Sequence, residues 1–262
     1  MLKFTLNYDG WGKVKYIQGN VLDKELISNT IAKFDYIFHL AALLGTSETL
    51  ENIYSAVESN IIGTLNILEA IKTHKKRGLI ITIGGIDWLN PYAITKLAVE
   101  KFSLMYAIEY DLDIKVVRGL NTYGPRQKYE PVRKAVPFFT INALKNKPLE
   151  IYGNGRQTLD LVYVGDLVQV MLKTMEFKGK IYHIIEAGTG VKTTVNKLAK
   201  MIIQLSHSRS RLTYSPMRRG EPDHSTTIGD INTLKEIEYI PSTSLKNGLQ
   251  KTIEWYQKHY PL

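Results

Sequence analysis

The chain alternates between short apolar runs and longer segments with helical periodicity. Two of the runs, Asp35–Ala42 and Leu79–Ile83, are almost continuously apolar, as strands buried in a parallel sheet are. The longest helical patterns cover Glu51–Lys72 and Pro91–Tyr110, and the alternating segment Lys13–Gln18 is typical of a strand. Strands that alternate with helices predict an α/β protein with a parallel sheet.

The remaining elements follow the same patterns but become less regular after Tyr123-Gly124-Pro125. We therefore expect two units, 1–125 and 126–262, of which the second is interleaved with the first. Further helices are predicted at Asp23–Phe34, Val136–Lys145, Val164–Met175, Thr193–Leu205 and Ser242–His259, and further strands at Ile114–Arg118, Ile151–Gly155 and Ile181–Ile185.

Composition narrows the class of protein. The chain has 262 residues, 44% hydrophobic and 23% charged, which is ordinary for a globular protein with a full core. It has no cysteine, which excludes disulfides, thiolate nucleophiles and Cys-ligated metals, and we predict no metal site. No apolar run approaches the ~20 residues of a membrane span, and the first ten residues do not resemble a signal peptide. The prediction is a cytoplasmic protein with no membrane partner.

The formal charge of +9 has two interpretations, an anionic partner or a solvated lysine-rich surface. The basic residues are spread along the chain, and the densest cluster, His74–Arg77, falls where a helix should end. Such a cluster complements the helix dipole. We favour the solvated surface and predict no nucleic-acid partner, because no basic stripe or recognition helix is present.

Tyr92 and Lys96 are the first candidates for chemistry. Their spacing places both side chains on one face of the predicted helix, where a cation beside a phenol favours the phenolate. Such a tyrosine can exchange a proton with a substrate. Because the chain has 16 tyrosines and many lysines, this spacing alone is weak evidence.

The pair gains weight from the motifs that surround it, which stand in one order along almost the whole chain. Together they resemble the extended short-chain dehydrogenases/reductases, and within these the NAD-dependent epimerases and dehydratases that act on nucleotide sugars. The motifs are FHLAA (38–42), SNIIGTLNILEA (59–70), NPYAITKLAVEKF (90–102), VVRGLNTYGPRQ (116–127), IYGNGRQTLDLVYVGDLV (151–168), AGTG (187–190), RRGEPDHS (218–225) and SLKNGLQKTIEWY (244–256).

The resemblance implies a Rossmann-like parallel sheet that binds the cofactor (1–125) and a smaller C-terminal substrate-binding lobe (126–262). Tyr92 would be the acid/base, and Lys96 would hold the nicotinamide ribose and lower the pKa of Tyr92. The full implied set comprises the catalytic residues Tyr92, Lys96 and Thr82, the cofactor-binding residues Asn20, Ala41, Ala42 and Lys96, and the substrate-binding residues Asn121, Tyr152 and Arg218.

Several of these residues also have structural interpretations. Tyr152 could be ordinary strand packing instead of a platform for the nucleobase, and Arg218 could be a surface charge instead of a diphosphate ligand. Asn60 is better explained as a residue that fixes a loop. His39 is better explained as a hydrogen-bonded core residue than as a ligand.

Three features depart from the family pattern. The family opens with a strand, a Gly-rich turn and a helix that receives the cofactor pyrophosphate, whereas the turn Asp9–Gly12 precedes no apolar helix. Gly84 and Gly85 stand where dehydratases carry an acidic pair, and Leu159 stands where the family has an arginine that Arg156 would have to replace. Either the sequence lacks its first unit or the protein is a shortened relative.

The resemblance thus implies an NAD(P)-dependent epimerase/dehydratase-like enzyme that acts on a nucleotide-diphosphate sugar by transient oxidation. NAD is the expected cofactor, with NADP left open, and a homodimer is the expected assembly. The alternative is a non-catalytic relative that binds sugar nucleotides or serves as a partner protein.

Overall fold

A computed structural model describes residues 14–260 as an α/β protein, so the fold class is confirmed. The turn Asp9–Gly12 and Lys13 lie outside the described residues. The helices are α1 (Lys24–Ile31), α2 (Ile53–Ala56), α3 (Gly63–His74), α4 (Pro91–Glu109), α5 (Ala135–Leu144), α6 (Val164–Glu176), α7 (Val195–Leu205) and α8 (Leu245–His259). The strands are β1 (Tyr36–His39), β2 (Arg77–Ile83), β3 (Ile114–Gly119), β4 (Asn121–Tyr123), β5 (Leu149–Tyr152), β6 (Thr158–Tyr163), β7 (Ile184–Ala187), β8 (Lys192–Thr194), β9 (Leu212–Ser215) and β10 (Thr226–Thr227).

The main sheet has the strand order β1-β2-β3-β7, and every neighbouring pair is parallel. One face packs against α1, α3 and α4 through an apolar cluster that includes Leu68, Ile80 and Val99. The other face packs against α6 through a cluster that includes Val117 and Val170. Because β7 follows more than sixty residues after β3, the second half of the chain completes the sheet of the first half.

The second half also builds smaller sheets beside the main one. Strands β10, β6 and β4 run parallel in that order, β8 adds antiparallel to β6, and β5 pairs with β9. Their apolar side chains meet α5, α7 and α8 in a third cluster. The division of the chain at residue 125 stays a prediction.

Two predictions about strands were wrong. The run Asp35–Ala42 was expected to be a buried strand, but β1 has only four residues and is the outermost strand of the sheet that residues 14–260 form, with Tyr36 54% exposed. Residues 14–18 were expected to be strand but are exposed and form no ladder. An apolar or alternating sequence records strand propensity, whereas a ladder also needs a neighbouring strand, and the described residues supply none there.

The predicted helix Glu51–Lys72 is interrupted. It begins as a 3₁₀ turn (Glu48–Glu51), continues through α2, widens into a π-helical segment (Val57–Ile62) and becomes α3. Single π turns inside helices often mark functional sites. Within residues 14–260, no helix is long and apolar enough to cross a membrane.

Candidate active site

A cavity of about 390 Å³ opens beyond the carboxyl ends of β2 and β3. Ligands of open α/β sheets bind at this edge. Seven of the predicted site residues line the cavity: Ala42, Thr82, Tyr92, Lys96, Asn121, Tyr152 and Arg218. Asn20 and Ala41 do not line it. Asn20 is exposed and its side chain accepts a hydrogen bond from the Leu22 amide, which shapes the turn before α1.

The start of α4 fixes Tyr92 at the cavity wall. Asn90 is the N-cap, since its side chain accepts a hydrogen bond from the Ala93 amide at 2.9 Å, and Pro91 occupies the first turn. The side-chain amide nitrogen of Asn90 also donates to the Gly220 carbonyl at 2.9 Å. The same residue therefore caps the helix and attaches it to the loop that carries Arg218.

Lys96 is a buried ammonium with incomplete hydrogen bonding. Its side chain donates to the Ile81 carbonyl at the end of β2, at 2.9 Å, and the residue is only 3% exposed. Burial lowers the pKa of Lys96 to about 8, although the charge of Glu100 opposes this. An ammonium has three donors, so two of them have no partner among residues 14–260.

The Tyr92 phenol forms no hydrogen bond with Lys96 or with any other part of the described chain. Burial raises the pKa of Tyr92 above its ordinary value. The lowering of the Tyr92 pKa that was expected from Lys96 is therefore not seen in this structure.

A buried hydrogen-bond network connects the start of α4, which carries Tyr92, to the π-helical segment. The side chain of Asn60, in the π-helical segment, accepts a hydrogen bond from the Leu43 amide (2.7 Å) and donates to the Leu43 carbonyl and to the Thr95 hydroxyl. The Thr95 hydroxyl in turn donates to the Tyr92 carbonyl at 3.0 Å. The interpretation of Asn60 as a residue that fixes a loop is confirmed.

His39 belongs to the same buried layer. Its Nε2 lies 2.9 Å from the Thr64 hydroxyl, which confirms it as a hydrogen-bonded core residue. Burial, aided by the charge of Lys96, lowers the pKa of His39 to about 4. The imidazole is therefore neutral at pH 7.

The Thr82 hydroxyl has another partner. It donates to the Glu100 carboxylate at 2.6 Å, and that carboxylate also accepts two hydrogen bonds from Arg118 at 2.9 and 2.8 Å. Successive strand residues point to opposite faces, and Thr82 shares the face of β2 that packs on α4. To contact a substrate oxygen, this hydroxyl would have to leave Glu100.

Basic side chains gather further along the cavity. Arg218 is held by Glu221 through two hydrogen bonds of 2.9 and 2.7 Å. The side-chain ammonium of Lys134, at the N-terminus of α5, forms no hydrogen bond or ion pair with residues 14–260. Burial and the charge of Arg218 lower its pKa. An unpaired cation beside a like charge and a helix N-terminus is suited to an anion.

This cluster bears on the arginine that the family pattern requires at position 159. Leu159 lines the cavity and is only 8% exposed. Arg156 is exposed and does not line the cavity, so it does not replace the missing charge in this structure. Lys134 supplies a cation to the same cavity instead.

Aromatic residues close the end of the cavity beyond these cations. The Tyr152 ring lies 5.6 Å from the Arg218 guanidinium and 4.8 Å from that of Arg133. Arg133 also stacks 3.4 Å from the Phe138 ring and donates 2.8 Å hydrogen bonds to Glu150 and to the Tyr152 hydroxyl.

Sequence reasoning missed Lys134, Arg133 and Glu150. The only local indication was the adjacent pair of basic residues before an apolar helix. All three line the same cavity as Arg218, which follows Lys134 by 84 positions in the sequence. Only the tertiary structure reveals that they lie close together.

The residues present fit the nicotinamide-ribose half of an NAD molecule. The unpartnered donors of Lys96 suit ribose hydroxyls. The buried amide nitrogen of Asn121 has no partner among residues 14–260 and stays available to a substrate in the same cavity. Among residues 14–260, no glycine-rich loop before a helix lines the cavity, so the described residues account for this half only.

Comparisons with known proteins agree with the motifs. The family model for the NAD-dependent epimerase/dehydratase family matches residues 81–188, and the model for GDP-mannose 4,6-dehydratase matches residues 5–83. A UDP-N-acetyl-α-D-glucosaminuronate decarboxylase of Bacillus cytotoxicus is 31% identical over 94% of this chain and 84% of its own length.

Solved structures give the same result. A UDP-glucose 4-epimerase of Thermotoga maritima, crystallised with UDP-glucose, superposes with a TM-score of 0.87 at 30% identity, over 92% of this chain and 84% of that one. A UDP-glucuronic acid 4-epimerase of Bacillus cereus, in complex with UDP-glucuronic acid and NAD, gives 0.86 at 25% identity, over 94% and 82%. With the ordered motifs and the cavity, these matches establish that the chain belongs to the NAD-dependent epimerase/dehydratase family, within the extended short-chain dehydrogenases/reductases.

Proposed function

We propose that this member of the family is an NAD-dependent enzyme that epimerises a nucleotide-diphosphate sugar at C4, with Tyr92 as the acid/base. The observation that carries the proposal is one continuous cavity in which Tyr92 and Lys96 share the walls with Lys134, Arg218 and Tyr152. A nucleotide sugar would fill this cavity with its sugar at Tyr92 and Lys96, its diphosphate at Lys134 and Arg218, and its base at Tyr152.

Each residue has a defined task in this proposal. The Tyr92 phenolate takes the proton of the sugar hydroxyl and later returns it, and Lys96 stabilises the phenolate while its free donors hold the nicotinamide ribose. NAD held at Lys96 would supply the acceptor for the hydride of the sugar carbon and the donor for its return to the opposite face of that carbon. Arg218 and Lys134 neutralise the diphosphate, and the Asn121 amide donates to the substrate.

The cavity lining favours epimerisation over dehydration, because neither of its two carboxylates is free to act as an acid. Dehydration needs an acid for the leaving hydroxyl and a base for the adjacent proton. Gly84 lines the cavity where dehydratases carry the first acid, and the two carboxylates that do line it, Glu150 and Glu221, are held by Arg133 and Arg218. Transient oxidation and return of the hydride needs only the Tyr92 proton.

The test is Tyr92→Phe in the purified chain, supplied with NAD and UDP-glucose or UDP-glucuronic acid, with the C4 epimer measured by NMR. Turnover should fall by about 100-fold or more, the scale of general acid–base catalysis. The control is Tyr182→Phe, because Tyr182 is half-exposed and does not line the cavity. Equal turnover in both variants would reject Tyr92 as the acid/base.

Calorimetric titration with NAD and NADP addresses the cofactor. Binding of NAD by the chain, with loss of affinity in Lys96→Met, is the expected result. If neither cofactor binds and no epimer forms, the proposed activity fails, and binding of UDP-glucose by the same chain would then favour the alternative of a non-catalytic sugar-nucleotide-binding relative.

For assembly and location, we propose a cytoplasmic homodimer. The support for the dimer is a set of exposed apolar side chains on α4 and on the neighbouring helical segments. These are Ile94, Met105 and Ile108 on α4, and Ile53, Val57 and Ile62 on the segments that pack beside it.

A further inference from the structure

The aromatic end of the cavity holds an ion pair that the proposed reaction does not use. Arg133 and Glu150 join at 2.8 Å, and both line the cavity beside Tyr152. Their side chains are 27% and 38% exposed, so a ligand can reach them. Both partners are held in place, because the guanidinium stacks on Phe138 and the Ser215 hydroxyl donates to the other carboxylate oxygen.

The pair keeps hydrogen-bonding capacity on both partners. A guanidinium has five N–H donors, and Arg133 uses three of them, on the Glu150 carboxylate, the Glu150 carbonyl and the Tyr152 hydroxyl. Two donors remain. Each oxygen of an ionised carboxylate can accept about two hydrogen bonds, and Glu150 accepts one on each.

Glu150 stays ionised at neutral pH. The hydrogen bond from Ser215 lowers its pKa first, and the hydrogen bond from Arg133 lowers it further. It therefore presents acceptors only, next to the donors of Arg133. Together the two side chains bring ionised acceptors and unused donors to the wall of the cavity.

Under the proposed function, the diphosphate lies at Arg218, so the nucleobase attached to it lies beside Tyr152 and the Arg133–Glu150 pair. Arg218, a proposed diphosphate ligand, lies 5.6 Å from the Tyr152 ring, and Arg133 lies 4.8 Å from it. We propose that Arg133 and Glu150 select the nucleobase by reading an edge in which a ring N–H stands beside a carbonyl. This inference rests on the proposed function, since it assigns the base of that substrate.

The chemistry separates the bases into two classes. Uracil, thymine and guanine each carry a ring N–H next to a carbonyl, so Glu150 accepts from the N–H while Arg133 donates to the carbonyl. Cytosine and adenine carry an unprotonated ring nitrogen next to an amino group. In the same position, the ring nitrogen of these bases would face the Glu150 carboxylate, acceptor against acceptor, and the amino group would face Arg133, donor against donor. These desolvated polar groups would be left unpaired.

UDP and CDP are the sharpest probes, because they have the same size and diphosphate and differ only at this edge. The assay is calorimetric titration of the full chain with each. The unaltered chain should bind UDP about 10-fold or more tightly than CDP, the discrimination of one bidentate contact. In Glu150→Gln and in Arg133→Met the ratio should shrink to about 3-fold or less, because either the fixed acceptor or the donor is lost.

The matched control is Glu176→Gln, an exposed glutamate at the end of α6 that does not line the cavity, and it should keep the ratio. An unaltered chain that binds UDP and CDP alike overturns the inference. So does a ratio that survives both variants, or an Arg133→Met variant that weakens both ligands equally, which makes Arg133 a phosphate ligand. If neither nucleotide binds the unaltered chain, the proposed function fails as well.

Discussion

Replacing Lys96 with methionine should stabilise the fold at pH 7 while it removes activity. Lys96 is 3% exposed, and burial lowers its pKa from 10.5 to about 8. That difference corresponds to about 3 kcal/mol by which the charged ammonium disfavours folding at neutral pH. Methionine has a similar length and carries no charge, so it removes this cost.

Part of the gain is offset. The substitution removes the 2.9 Å hydrogen bond from Lys96 to the Ile81 carbonyl and leaves that carbonyl without this partner, which costs about 1–2 kcal/mol. The expected net effect is an increase of about 1–2 kcal/mol in the free energy of unfolding at pH 7.

The sign of the pH dependence follows from the lowered pKa. Between pH 8 and 10.5 the unfolded state binds more protons at Lys96 than the folded state does, so the stability of the unaltered chain rises with pH relative to the variant. The penalty is complete below pH 8 and absent above 10.5. The hydrogen-bond cost does not change with pH, so at pH 10 Lys96→Met should have lost its advantage and be up to about 1 kcal/mol less stable than the unaltered chain.

Urea denaturation at pH 7 and pH 10 measures both effects. Lys101→Met is the control, because Lys101 lies on the same helix but is exposed, and its stability should change by at most about 0.5 kcal/mol. A Lys96→Met variant that is less stable than the unaltered chain at pH 7 would refute the reasoning. An equal difference at the two pH values would refute it too.

Two further predictions concern acid stability and assembly. The pKa of His39 is about 4 in the fold against an ordinary 6.5, so stability should fall by about 3 kcal/mol as the pH drops through that window. Urea denaturation at pH 7 and pH 4.5 should show a smaller loss in His39→Gln than in the exposed control His207→Gln. Light scattering should give twice the chain mass for the unaltered protein and for the control Ile240→Glu, but one chain mass for Ile108→Glu, which places a charge on α4. A monomeric unaltered chain would contradict the proposed homodimer.

The sequence predicted best the elements whose ends are marked locally. Helix α4 was expected at 91–110 and occupies 91–109, because Asn90 and Pro91 define its start. The apolar run around β1 could not reveal that its strand lies at an edge, since burial depends on neighbours. The π-helical segment was also missed, because the hydrogen bonds of Asn60 that accompany it reach Leu43 and Thr95 from other segments.

The same distinction applies to the site. Tyr92 and Lys96 share one helix, so their spacing sufficed to bring them together in prediction. Lys134 and Arg218 come from distant segments, and their approach depends on how β5, α5 and the loop after β9 pack. Arg156 was the only substitute that local sequence offered for the missing arginine, and its exposed position comes from the turn that precedes β6.

The unpaired lysines connect stability with ligand binding. The buried Lys115 donates to Asp113 at 2.6 Å and to the Phe177 carbonyl, so this fold pairs a buried ammonium where no ligand is expected. Lys96 and Lys134 line the cavity, and neither has a carboxylate within 4.0 Å among residues 14–260. Their buried charges disfavour folding, and a ligand that contacts them and binds only the folded state offsets that free energy. The two lysines that have no carboxylate partner thus line the cavity that we propose as the substrate site.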